Sequence, residues 1–278
     1  MTDITLLASF GLGYVGSAVV AAIVADNRPV VGITRANFGE AGSAIAAATH
    51  LLSTVPPDDE GDPVLLRHGQ AIASAPSLKW IGYVSTTGVY GDRNGGWVDE
   101  NTAPEPGSDR SRRRLAAEQA WRALADRRAV DVFRLAGIYG PGRSPFDGLR
   151  RGISRRVVRP GHLFGRIHRD DIVRAVLAAM QQERTSGVRI LNLTDDEPAE
   201  SATVIEEAAR LLGIPPPAAV PFDQALATMS PMARTFWAEN RKVSSQWTQE
   251  MLGLRWLYPS YREGLSATLI QEGVDGLL

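Results

Sequence analysis

Residues 11 to 16 read GLGYVG, so Gly11, Gly13 and Gly16 stand in G-x-G-x-x-G spacing, the pattern of a phosphate-cradling turn. Each glycine answers a different demand. The first permits a tight turn, the second lets backbone approach a pyrophosphate, and the third allows a helix to pack closely on the preceding strand. Tyr14 and Val15 lie between the last two glycines, at the start of a helix whose free N–H groups favour an anion. A dinucleotide is the ligand this chemistry suits. The next strand ends in GITR, which puts Thr34 and Arg35 where a carboxylate would hold the ribose of NAD. A guanidinium there can pair with a 2′-phosphate, and no acid repels one, so NADP is favoured over NAD. The bland reading of Arg35 is a solvated loop arginine.

Such a turn needs a strand before it and a helix behind it. Apolar runs fit strands at Ile4 to Phe10, Pro29 to Ile33, His50 to Val55, Leu78 to Val84, Val130 to Leu135 and Val188 to Leu193. Stretches at Asp62 to Ala75, Asp109 to Arg128 and Asp170 to Gln182 fit helices that begin at acidic or serine caps. The alternation predicts an α/β fold, a doubly wound parallel sheet with helices on both faces. About fifteen residues separate the second strand from the third, too few for a helix, a strand and their loops, so one unit is shortened there. The expected division is a Rossmann-like dinucleotide domain at 1–140 plus 165–195 and a smaller substrate-side lobe at 141–164 plus 196–278.

Composition narrows the chemistry further. The chain has 278 residues, no cysteine, four histidines and a formal net charge of -1; among its 30 basic side chains only Lys79 and Lys242 are lysines. Disulfides, cysteine-ligated metal centres and a cysteine nucleophile are excluded, and no metal site is expected. The balanced charge argues against a nucleic-acid partner. Leu6 to Ala25 is an uncharged run long enough to span a bilayer, but three glycines interrupt it and a strand pattern precedes a helical one. The start MTDITLL lacks a basic leader region. The expectation is a cytoplasmic protein without a membrane partner.

Several motifs in order resemble the extended or atypical short-chain dehydrogenase/reductase family, of sugar-nucleotide epimerase/dehydratase type: GLGYVG, then VSTTGVYGD at 84 to 92, RLAGIYGPGR at 134 to 143, GRIHRDDIVRAV at 165 to 176, ILNLTDDEP at 190 to 198 and LGLRWLYPSYREGL at 252 to 265. The resemblance covers nearly the whole chain. It implies that Thr86, four residues before Tyr90, hydrogen-bonds the reacting oxygen, unless its hydroxyl only satisfies loop backbone. It also implies that Ser53, Thr54 and Val55 close over the adenosine and pyrophosphate side. A nucleotide sugar or another anionic carbonyl or alcohol compound is the implied substrate, for which Arg143 and the group Arg150, Arg151, Arg155, Arg156 and Arg159 could supply donors; scattered surface arginines are the alternative.

The family's proton relay is a tyrosine with a lysine four residues later. Aligning RRRLAAEQAW with the family pattern puts Arg110 at the tyrosine position and Arg114 at the lysine position. No tyrosine lies between Tyr90 and Tyr139, and no lysine between Lys79 and Lys242. An arginine stays charged and cannot shuttle a proton. Arg110 and Arg114 share a helical face and can stabilise developing negative charge, or they belong to a solvated basic face capped by Ser108. Tyr90, Tyr139 and His168 read as packing or loop-orienting groups. The resemblance also implies a homodimer through the 109–128 helix, a face the arginine run charges. Two readings result: an NADP-dependent oxidoreductase or epimerase/dehydratase-like enzyme with non-standard catalysis, or a non-catalytic NADP(H) sensor.

Overall fold

The computed structural model describes residues 5–275, and Ile4, where the sequence pattern begins its first strand, lies outside the described residues. The first half runs β1 (Leu7–Phe10), α1 (Tyr14–Ala25), β2 (Val30–Ile33), α2 (Gly42–Ala47), β3 (His50–Ser53), α3 (Pro63–Ser74), β4 (Trp80–Thr86), β5 (Trp97–Val98), α4 (Asp109–Arg122) and β6 (Ala129–Leu135). Then come β7 (Gly137–Tyr139), α5 (Pro145–Arg150), β8 (Arg156–Val158), β9 (Arg166–His168), α6 (Arg169–Gln181) and β10 (Gly187–Leu193). The remainder is α7 (Ser201–Leu211), β11 (Ala219–Pro221), α8 (Phe222–Ala227), α9 (Pro231–Trp237), β12 (Lys242–Val243), α10 (Gln246–Leu252) and α11 (Tyr261–Asp275).

Six strands pair in parallel in the order β10-β6-β4-β3-β1-β2. Chain order reverses between β1 and β3, which makes their carboxyl ends the place where such sheets bind ligands. Between β2 and β3 stand only a 3-10 turn (Phe38–Glu40) and the six-residue α2, with no strand, so the shortened unit is present. The strands are buried on both faces and therefore read as near-continuous apolar runs. Side chains alternate between two cores. Leu7, Leu52, Val84 and Phe133 pack with Val19 of α1 and Val176 of α6, whereas Phe10, Leu51, Ile81 and Val132 pack with Ile72 of α3 and Trp121 of α4. Tyr139, Phe146, Val204, Tyr261 and Leu265 form a separate cluster in the later part of the chain.

The boundaries move for physical reasons. The helix expected to reach Arg128 ends at Arg122, because the chain must turn through residues 123–126 before the Ala129 N–H can bond the Lys79 carbonyl at the start of β6. The fourth strand begins at Trp80 and extends to Thr86, whose register partner is Leu135. Asp62 accepts from the Val64 and Leu65 N–H groups and caps α3, Ser108 caps α4, and His168 Nδ1 caps α6. No helix among the described residues is long and apolar enough to cross a membrane.

One polar group is central to the packing. Glu118 of α4 and Arg134 of β6 are excluded from solvent and paired at 2.7 Å, and the Ser85 hydroxyl donates to the same carboxylate at 2.5 Å. A buried charge that loses its partner keeps its desolvation cost. Glu118→Ala should therefore lower stability by about 3–5 kcal/mol, read from urea unfolding; an unchanged midpoint would show that Arg134 finds water instead.

Candidate functional site

The carboxyl ends of the central strands open into a cavity of about 670 Å³, within the range of ligand clefts. Its lining joins Gly13, Tyr14 and Val15 of the glycine turn, Thr54 after β3, Thr86 at the end of β4, and Arg110, Ser111 and Arg114 of α4. Residues from the later part of the chain close the other side, among them Arg143, Phe164, Arg166, Phe236, Trp237, Glu239 and Arg241.

The glycine turn is held by sterics and one hydroxyl. Gly11 has φ +86°, and a β-carbon there would lie 2.7 Å from Thr54 Oγ1. At Gly16 the same atom would lie 2.0 Å from the Gly11 carbonyl oxygen, so the helix can approach the turn only without a side chain. Thr54 Oγ1 donates to the Gly11 carbonyl at 2.9 Å and locks the turn. A β-carbon at Gly13, by contrast, would meet nothing within 4 Å. No side chain caps α1, so its first-turn N–H groups remain available to an anion. Open space beside an uncapped helix start is a cradle that fits a pyrophosphate.

The other sequence-derived cofactor residues occupy different surroundings. Thr34 is fixed by Asn37, whose side-chain oxygen accepts the Thr34 N–H at 2.7 Å. Arg35 follows it as an exposed residue outside the cavity lining, with no carboxylate among the described residues paired to it. Ser53 is wholly buried with its hydroxyl unpartnered, and Val55 packs at the edge of a core beside the Gly11 turn.

Thr86 Oγ1 accepts the Gly88 N–H at 3.1 Å, which leaves its own hydrogen free to donate toward the cavity. Along α4, Ser111, Arg114, Glu118 and Trp121 recur at helical spacing, and the last two anchor the helix through Arg134 and through Asp62 at 2.8 Å. Anchoring fixes where the first turns point. Arg114 donates to the Val84 carbonyl at 2.8 Å and lies over the Tyr83 ring. Arg110, one turn earlier, is exposed at the rim, its guanidinium 5.8 Å from the centre of the Phe236 ring. Both arginines that the resemblance aligns with a tyrosine and a lysine thus line the cavity, Arg114 anchored and Arg110 at the rim. Neither lysine lines the cavity; Lys242 lies over Trp97.

Tyr90 donates to Asn192 Oδ1 at 2.8 Å and stacks under Arg134, while Tyr139 packs in the third core and edge-on to His168. Of the Arg143 group only Arg143 reaches the cavity, and it lies over the Tyr14 ring. Arg150, Arg156 and Arg159 are engaged by Glu272, Glu206 and the Trp237 carbonyl. They tie later elements together rather than facing a ligand. The aromatic wall was invisible in the sequence. Trp237 stacks on His162 at 5.3 Å and meets Phe164 edge-on at 4.9 Å, contacts that join residues over seventy positions apart with no motif between them. Glu239 and Arg241 pair with each other at 2.6 Å, and Arg241 also donates to the Gly91 carbonyl.

A parallel sheet with a glycine turn, an uncapped helix and a cavity at its switch point defines a Rossmann-like nucleotide-binding fold. No family model matches the chain. A protein of unknown function from Silicibacter pomeroyi DSS superposes with TM-score 0.88 at 42% identity, over 96% of this chain and 99% of that one. The human epimerase family protein SDR39U1, solved with NADPH, gives TM-score 0.79 at 18% identity over 95% and 98% of the two chains. MoeE5, solved with UDP-glucuronic acid and NAD, gives 0.76 at 20% identity over 97% and 99%. In sequence, a 3-diazoavenalumate denitrifying reductase from Streptomyces is 31% identical over 169 residues, 59% of this chain and 54% of the reductase. The chain thus matches little more than half the length of that relative. It shares its fold with these epimerase-like structures, and with the Silicibacter protein it also shares sequence over nearly the whole of both chains.

Two measurements test the site as built. Gly16→Ala should lower the melting temperature by several degrees, because its β-carbon meets backbone, whereas Gly13→Ala should leave it within about a degree or two; equal effects would refute the steric assignment. Burial, reinforced by Arg159, pulls His162 down to about 4. Its folded value lies below the unfolded one, so the neutral ring contributes stability that is present above pH ~6.5 and is lost toward pH 4. NMR of the His162 ring should show no titration between pH 7.5 and about 5.

Proposed function

We propose that the cavity binds NADP(H) and that the protein is an oxidoreductase of non-standard proton chemistry acting on an anionic small molecule. The observation that carries this reading is the convergence of the glycine cradle, Thr86, Arg110 and Arg114 on one cavity at the switch point. Residues 1–140 plus 165–195 are the dinucleotide domain in this reading, and 141–164 plus 196–278 the substrate-side lobe, a division supported by the separate third core.

Gly11, Gly13 and Gly16 with the Tyr14 and Val15 N–H groups would hold the pyrophosphate, and Thr34 and Arg35 the 2′-phosphate. Ser53, Thr54 and Val55 would border the adenosine side. SDR39U1, which carries NADPH, supports the family's capacity for this cofactor, and the Streptomyces relative is by name a reductase. When bound, the nicotinamide supplies or accepts hydride. Thr86 donates its hydroxyl hydrogen to the substrate oxygen. Arg114, anchored on Val84, and Arg110, free at the rim, stabilise negative charge that develops there. Neither arginine transfers a proton, so that proton exchanges with water or the acceptor needs none. The same absence favours a second reading, a protein that binds NADP(H) as a sensor without turnover.

Calorimetry should show NADPH binding more tightly than NADH. Arg35→Asp should remove about 1.5–3 kcal/mol from NADPH and little from NADH; equal losses refute the phosphate contact, and no binding of either refutes both readings. Gly13→Ala should abolish binding of either cofactor. In a panel of carbonyl compounds and nucleotide sugars followed by nicotinamide absorbance, Thr86→Ala should cost about 10²-fold in kcat. An active wild type unaffected by that change would overturn the role of Thr86, and a wild type inactive on every compound would favour the sensor.

A further inference from the structure

The substrate end of the cavity carries an unusual pairing of chemistry. Trp237 is immobilised on three sides, by His162, Phe164 and Phe222 at 5.3, 4.9 and 5.3 Å between ring centres, and its carbonyl accepts from Arg159. Phe236 beside it is 55% exposed, and among the described residues its ring meets the Arg110 guanidinium alone. The lining holds five arginines against one carboxylate, and that carboxylate, Glu239, is committed to Arg241. Arg114 and Arg166 spend donors on main-chain carbonyls. Arg110 pairs with no carboxylate among the described residues. An immobilised indole, an exposed phenyl ring and a guanidinium with no carboxylate partner among the described residues therefore line the same space.

We propose that this end binds a planar aryl carboxylate, its ring against Phe236 and Trp237 and its carboxylate on Arg110, which leaves Arg114 alone to stabilise charge at the reacting oxygen. The assignment rests on the dinucleotide reading only in naming which end of the cavity is left for substrate. A nucleotide sugar places its aromatic base a ribose and a diphosphate away from the reacting sugar carbon. Here Phe236 lies against Arg110 itself, and Thr86 lines the same cavity. A sugar ring at that point would want several free acceptors for its hydroxyls, and the one lining carboxylate is taken. An aryl acid instead satisfies both surfaces: its ring gains offset or edge contacts, and its charge gains a planar donor fork.

Isothermal titration of the full chain, with and without saturating NADPH, tests the assignment using cinnamate, cinnamamide, 3-cyclohexylpropanoate and UDP-glucuronic acid. Cinnamate should bind about tenfold more tightly than either the amide or the saturated-ring acid. Arg110→Gln should erase the advantage over the amide, and Phe236→Leu, an exposed site that leaves folding intact, should erase most of the advantage over the saturated ring. Equal affinities for the three small ligands, or binding of UDP-glucuronic acid alone, would overturn the proposal. Cinnamate binding with this profile but no NADPH binding would sink the cofactor reading and leave this one standing; NADPH binding without cinnamate binding would do the reverse.

Discussion

Glu118 and Arg134 are both excluded from water, one on α4 and the other on β6, and each makes the burial of the other tolerable. The carboxylate also takes the Ser85 hydroxyl from β4, and the guanidinium lies 4.8 Å from the centre of the Tyr90 ring. Helix α4, strands β6 and β4 and the turn after β4 that carries Tyr90 therefore share one ionic knot. An apolar contact would let α4 rotate or slide with little penalty, but a paired charge fixes it, because displacement exposes an unsatisfied group. One helical turn from Glu118 lies Arg114, and one turn further Arg110, so the knot sets where these two of the five cavity-lining arginines stand.

The second fixed point is the glycine turn. Thr54, leaving β3, bonds the Gly11 carbonyl and joins the two strands that flank the switch point. The turn and α4 approach the cavity from different strands, and the parallel order of the sheet brings them to the same edge. The later part of the chain completes the enclosure with Phe236 and Trp237 of α9, with Phe164 just before β9 and Arg166 at its start, and with Arg143 and Arg241 from connecting segments. The resulting site is strongly cationic, although the chain as a whole carries a formal net charge of -1; its acids are spent elsewhere, as caps and as partners to structural arginines.

Much of this was legible in the residues. The doubly wound sheet followed from short apolar runs spaced by helix-length stretches, and the shortened unit from the length between the second and third strands. The lack of any tyrosine between Tyr90 and Tyr139 and of any lysine between Lys79 and Lys242 was likewise plain in the residues. The strand and helix ends were less legible: α4 stops at Arg122 because the chain must turn back into register with Lys79, a demand made by a neighbour in space. The Arg150 to Arg159 group looked like one patch along the chain, yet its members engage separate partners in the fold.

The sequence by itself determined the class of fold, the glycine cradle and the identity of the charged groups, since these depend on local sterics, periodicity and side-chain chemistry that neighbours cannot alter. It also determined that α4 carries neither a tyrosine nor a lysine. Only the tertiary structure decided which arginines face the cavity, that Arg110 has no carboxylate partner among the described residues while Arg241 pairs with Glu239, and that Phe164, Phe236 and Trp237 line one cavity. Those outcomes arise from contacts between residues far apart in the chain, where solvent exclusion chooses partners that no spacing rule encodes.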